Sequence, residues 1–208
     1  MQDLGALGAL EAVAASIRIG GMDVSSLLGW AGMALYTLAF VAVASGLLPR
    51  SPRYFLANLV AACAVAISSA ALASWQAVAV NVAWALLSAN ALAGRRIVLP
   101  IWVPHVVHLA VAGLVAATLW QLGARGGPAA VEMLAWFSLL GFVYSYLAFA
   151  NFLMGPTAFH VWNFAAATSL IPQVLREGNY PVLAIEVLWA SVAIYGLVRE
   201  MRPGRVPA

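Results

Sequence analysis

Lysine is absent from this chain, and all ten basic residues are arginine. Chemistry that needs a lysine amine, including a retinal Schiff base, is thereby excluded. Charged residues of any kind make up 8% of the sequence, against 64% hydrophobic residues and a mean hydropathy of +0.96. A soluble domain of this length needs far more charge to cover its surface, so the composition is that of a polytopic membrane protein in contact with the lipid bilayer. Cysteine occurs once, as Cys63 in an apolar run, which rules out an internal disulfide and reads as a small packing residue. The N-terminus carries Asp3 and Glu11 but no basic residue before Arg18, so the positive n-region of a secretory signal is missing. Residues 1–26 read as a tail or an interfacial helix, with Leu4, Leu7, Leu10, Val13 and Ile17 at helical spacing.

Catalytic patterns are missing too. No nucleophile–base arrangement, phosphate-cradling glycine loop or carboxylate pair occurs, and the basic loops are too short for a nucleic-acid surface. No enzyme, cofactor or nucleic-acid partner is expected. His105 and His108 share a helix face at i, i+3, and His160 stands apart, but no cysteine cluster or third close ligand supports a metal or haem site.

Seven apolar segments remain, near residues 27–48, 54–73, 75–94, 97–121, 132–153, 157–174 and 180–198. Each approaches the roughly 20 residues that a helical crossing needs. Leu48 to Arg53, a tight turn at Ser74-Trp75-Gln76, Gly94-Arg95-Arg96, Gly123 to Pro128, Gly155-Pro156 and Arg176 to Pro181 mark the breaks. Pro172 and Gln173 shorten the sixth segment. Abundant Ala, Gly and Ser predict close helix packing through small side chains. Taking alternate sides, one face collects Arg50, Arg53, Arg95, Arg96, Arg199, Arg202 and Arg205, and the other only Arg18, Arg125 and Arg176. The positive-inside rule then places the N-terminus outside and the C-terminus (199–208) in the cytoplasm of a cell's inner membrane.

Two stretches repeat one another. Asn58, Asn81 and Trp84 stand in the order N-x22-N-x2-W, and Asn163, Glu186 and Trp189 keep the same spacing. Trp30 and Trp136 extend the match with a one-residue slip. Polar side chains are costly in lipid, so their recurrence marks a duplicated site. Two three-helix units in direct succession would be inverted relative to each other, whereas a fourth helix between them restores one orientation. The expected plan is therefore all-α, 3+1+3: a first repeat at 27–94, a linker helix at 97–121 and a second repeat at 132–198.

The run LGWAGMALYTLAFVAVASGLLPRSPRYFLANLVAA…ASWQAVAVNVAWALLSANAL resembles small three-helix bacterial membrane proteins distantly related to SemiSWEETs. The whole chain resembles the 3+1+3 plan of SWEET sugar transporters and the PQ-loop superfamily. In those families an Asn on the third helix of each repeat lines a solute pathway, and Asn81 and Glu186 hold that place here. Pro172-Gln173 is similar to the dipeptide that names the PQ-loop group, but falls late in the second helix of its repeat, opposite Ile67-Ser68 of the first. WFSLL (136–140) and LLGFVYSYLAFANF (139–152) resemble phrases of urea and amide channels, a second resemblance.

Glu186 is the acidic residue clearly inside a predicted span, and an intramembrane carboxylate marks a pathway or proton relay unless it reaches interfacial water. It lies about 9 Å along the helix from Tyr180. Asn58, Asn81 and Asn163 need partners in the bundle interior, for a pathway or for interhelical hydrogen bonds. Trp84 and Trp189 follow one turn after the polar positions and can stack on a solute or pack in the core. Trp30, Trp75, Trp102, Trp120 and Trp136 read as interfacial anchors. Glu186, His160 and His108 are the proton-linked candidates. The implied function is passage of a small polar solute by alternating access; a non-transporting membrane subunit and a urea or amide channel are the alternatives, and a homo-oligomer is compatible with each. Reporter fusions test the topology: a fusion after Arg205 should be active in the cytoplasm, and one before Arg18 only on the outer side.

Overall fold

A computed structural model of the protein describes residues 18–19, 22–44, 51–95 and 97–201. Among these residues the architecture is helical apart from a two-residue antiparallel pairing of β1 (Arg18–Ile19) with β2 (Met22–Asp23). Among the described residues seven helices follow: α1 (Val24–Ala44), α2 (Pro52–Ala71), α3 (Trp75–Leu92), α4 (Val103–Ala124), α5 (Gly127–Ala150), α6 (Pro156–Arg176) and α7 (Tyr180–Glu200). All but α6 are long and apolar enough to cross a membrane. The expected helix over residues 3 to 19 lies outside the described residues except at its last two, which form β1. The first half of the break at 48–53, with Arg50, and also Arg96, Arg202 and Arg205 are outside them too.

Local chemistry explains where the helices begin. The Asp23 carboxylate accepts from the Ser26 amide at 2.6 Å and the Ser25 hydroxyl at 2.8 Å, an N-cap that starts α1 at Val24 rather than at residue 27. Proline stands in the first turn of α2, α4 and α5, where its missing N–H costs nothing. Pro100 and Pro104 hold α4 off until Val103, so residues 97–100 are not helical as expected. The expected turn at Ser74-Trp75-Gln76 is instead formed by Leu72 and Ala73, with Trp75 already opening α3. Helix α6 runs through Pro172 to Arg176, so this proline does not shorten it.

The chain divides into two compact units, residues 1–96 with 176–184, and residues 97–175 with 185–208. In the first, α2 packs against both α1 and α3. Small residues let the backbones approach: a Cβ at Gly32 would sit 2.7 Å from Val65 Cγ2 and 3.0 Å from the Ala61 carbonyl. The turn before α7 also belongs to this unit. Asn179, fully buried, donates to Ser69 Oγ at 3.1 Å, and the Ser74 hydroxyl donates to the Glu177 carboxylate.

In the second unit α4 packs on α5 through Val107, Tyr144 and Ala148, with Val103, Val111, Leu140, Met154 and Trp162 around them. Gly141 of α5 abuts α6, where an added Cβ would stand 2.9 Å from Ala166 Cβ. Cys63 is exposed on α2, so it is not the packing residue its apolar surroundings suggested. Trp75, Trp102 and Trp120 are exposed at helix ends; Trp30, also exposed, and half-buried Trp136 stand more than a turn inside α1 and α5.

The duplication is visible in the buried faces. Ala61, Ala62, Val65 and Ala77 are buried, and so are Ala166, Ala167, Leu170 and Val182, each 105 positions later. Ala73 and Gly178 keep the same offset, and both adopt left-handed backbone, with φ of 52° and 68°. Between α1 and α5 the offset is 106: Gly32, Tyr36 and Ala39 correspond to Ser138, Phe142 and Ser145, all buried. The slip shown by Trp30 and Trp136 is therefore one residue lost in the connection to the next helix. Gly141→Val should overpack the α5–α6 contact and cost about 1–3 kcal/mol of stability. A thermal melt unchanged from wild type would show that the contact yields without cost.

Candidate functional site

The six pathway candidates fall into the two units. Asn58, Asn81 and Trp84 lie in the first; Asn163, Glu186 and Trp189 lie in the second. Asn58 and Asn163 behave alike. Each is half-buried and donates its amide to the carbonyl one turn earlier, Asn58 to Tyr54 at 2.9 Å and Asn163 to Phe159 at 2.7 Å. Asn163 also donates to Ser145 Oγ at 3.2 Å, and that hydroxyl in turn donates to the Phe142 carbonyl at 3.1 Å. These bonds join α5 and α6 inside the second unit.

Asn81 and Glu186 differ more than their types suggest. Asn81 is buried, donates to the Ala77 carbonyl at 2.9 Å, and accepts at Oδ1 from the Tyr36 hydroxyl at 3.3 Å. Its amide is satisfied at both ends. Glu186 is 2% exposed, and its Oε2 has no hydrogen-bond partner. It therefore does not reach water at the edge of its span. The offset explains the contrast: the position of Tyr36 is taken by Phe142, which has no hydroxyl. One copy pairs Tyr with Asn, and the other has Phe with Glu. A buried polar group left unmade is expensive, and a charged one more so.

The second unit holds a second orphan. Ser138 Oγ on α5 is buried without a partner, at the place of Gly32 in the first copy. Gly141 opposes Ala166, Ser145 bonds Asn163, and the His160 ring of α6 lies directly against Gly196 of α7. Ten residues back along α7 from Gly196 is Glu186, about 15 Å at the helical rise. The same step along antiparallel α6 reaches Leu170, and the matching step on α5 reaches Phe137 and Ser138. Glu186 and Ser138 thus lie at one level of the second unit.

Trp84 and Trp189 are half-buried. His105 and His108 are exposed; His108 Nδ1 sits 2.6 Å from the Pro104 carbonyl, and its ring meets Tyr144 and Trp162 edge-on at 6.1 Å. Trp162 also stacks on Phe137 at 5.8 Å and meets Tyr144 edge-on at 5.0 Å. Sequence reasoning missed Tyr36, Phe142 and Ser138. Carrying the Trp30–Trp136 slip along the first helix of each copy would have found all three.

Apolar helices of spanning length and an internal two-fold repeat define a multi-pass helical membrane protein. One family model matches the chain twice, over residues 25–97 and 131–205, and the chain belongs to that uncharacterised family. No curated protein and no solved structure matches the chain.

The Tyr36–Asn81 pair has a measurable role. Tyr36→Phe leaves Asn81 Oδ1 buried without a donor and should cost about 1–3 kcal/mol in unfolding free energy. Phe142→Tyr, by contrast, should raise the melting temperature by offering Glu186 a donor; a fall would show that the two copies do not pack alike.

Proposed function

We propose that the protein passes a small polar solute across the cytoplasmic membrane by alternating access, in a SWEET-like 3+1+3 arrangement of two parallel repeats joined by α4. Glu186 carries this reading: a carboxylate with 2% exposure and an unpartnered oxygen, held in a span, is costly unless it binds something. Stability alone would favour retaining the Tyr–Asn pair of the first copy. Its replacement by Phe and Glu is the divergence expected when one copy of a duplicated unit becomes a binding site. In this reading Asn81, Trp84 and Trp189 line the pathway, Asn58 and Asn163 brace its helices, and an ion taken up at Glu186 couples the movement, with His160 and His108 as further proton-linked groups. The arginine bias supports an outer N-terminus and an inner C-terminus.

A second reading, a non-transporting membrane subunit, draws on a specific observation. Asn58, Asn81 and Asn163 spend their amides on carbonyls and side chains within their own units. Under it, substitution of Asn81, Glu186 and Trp189 changes co-purifying proteins and leaves flux untouched.

Purified protein in proteoliposomes, assayed with sugars, nucleosides, amino acids and amides, separates the two. Glu186→Gln should lower uptake about 10- to 100-fold, the effect of losing a charge-assisted contact, with a melting temperature no lower than wild type. Equal uptake and equal pH dependence in the variant would remove Glu186 from the mechanism. Passive, unsaturable permeation of urea or amides would indicate a channel.

A further inference from the structure

The geometry points to a binding site for a monovalent alkali cation at the level of Glu186 and Ser138 in the second unit. Both side chains are more than nine-tenths buried, and each ends in an oxygen without a hydrogen-bond partner. Helix α6 passes the same level at Leu170, which is fully buried.

The chemistry of this set is selective. Carboxylate and hydroxyl oxygens suit a hard cation, and among the described residues no three of His, Cys, Asp or Glu gather to hold a transition metal. A single carboxylate neutralises one positive charge, so a divalent ion would remain half-compensated in a buried place. No lysine exists to supply the charge internally. A bound cation would satisfy both oxygens at once.

The first copy provides an internal control. At the corresponding positions it has Gly32 for Ser138 and Asn81 for Glu186. The hydroxyl and the carboxylate are thus both absent from the copy whose Asn81 is already satisfied. Two replacements on two helices fall at one level, which drift in a packing core does not predict. The ion's role in coupling rests on the transport reading; the site itself rests on the second unit alone.

The test is thermal unfolding of the full chain in detergent, titrated with sodium, potassium or choline chloride at constant ionic strength, with calorimetry of the same titrations. A saturable rise in melting temperature with sodium or potassium, absent with choline, is expected. Glu186→Gln and Ser138→Ala should each lose that rise; Ser138→Ala keeps the helix and the charge, so it guards against a fold defect in the first variant. An equal rise with choline, a rise kept by both variants, or stability set by pH with no alkali dependence would overturn the site. Saturable alkali binding with alkali-independent solute uptake would support the site and remove the ion from coupling. Saturable alkali binding with no uptake of any solute would support the site and sink the transport reading.

Discussion

In an apolar surrounding, each buried polar group has to find its partner inside the protein, and this requirement organises the whole chain. Asn58 and Asn163 meet it by turning their amides onto the carbonyl of the preceding turn. Asn81 meets it with Tyr36 on the facing helix. Glu186 does not meet it, although it occupies the position of Asn81 in the other copy. A few serine hydroxyls and the Gln121 side-chain carbonyl are also without partners, but Glu186 is the most expensive of these groups to leave unpaired, which makes it the natural centre of any account of function.

Duplication gives that failure its meaning. The two copies share a buried spine of small and aliphatic residues, from Ala61, Ala62 and Val65 to Ala166, Ala167 and Leu170. They share even the left-handed turn, at Ala73 and Gly178. Against this common frame, the changes Tyr36 to Phe142, Gly32 to Ser138 and Asn81 to Glu186 stand out, because each alters hydrogen-bonding capacity and leaves the position buried. Packing was kept while polarity was rearranged.

Close helix contact depends on the same small residues. Gly32 and Gly141 let the backbones of neighbouring helices meet where any side chain would collide. Without a hydrophobic drive between helices in lipid, such contacts and the few interhelical hydrogen bonds hold the units together. Helix α4 differs in that it leans on α5 through one narrow stripe around Val107 and leaves most of its apolar surface facing outward.

Helix number, approximate spans and the duplicated spacing were all legible in the sequence, because length, hydropathy and regular polar positions are local properties. Helix starts were less so: the Asp23 cap and the joint effect of Pro100 and Pro104 moved α1 and α4 by several residues. Which face of a helix points inward could not be read, since both faces are apolar in a membrane protein. That is why Cys63 was expected in the core and stands exposed. Glu186 was identifiable as the one carboxylate deep in a span from its type and place alone. That its oxygen lacks a partner, that Tyr36 supplies one to Asn81, and that Ser138 lies at the same level were decided by tertiary structure, because hydrogen bonds between helices join residues far apart in the chain.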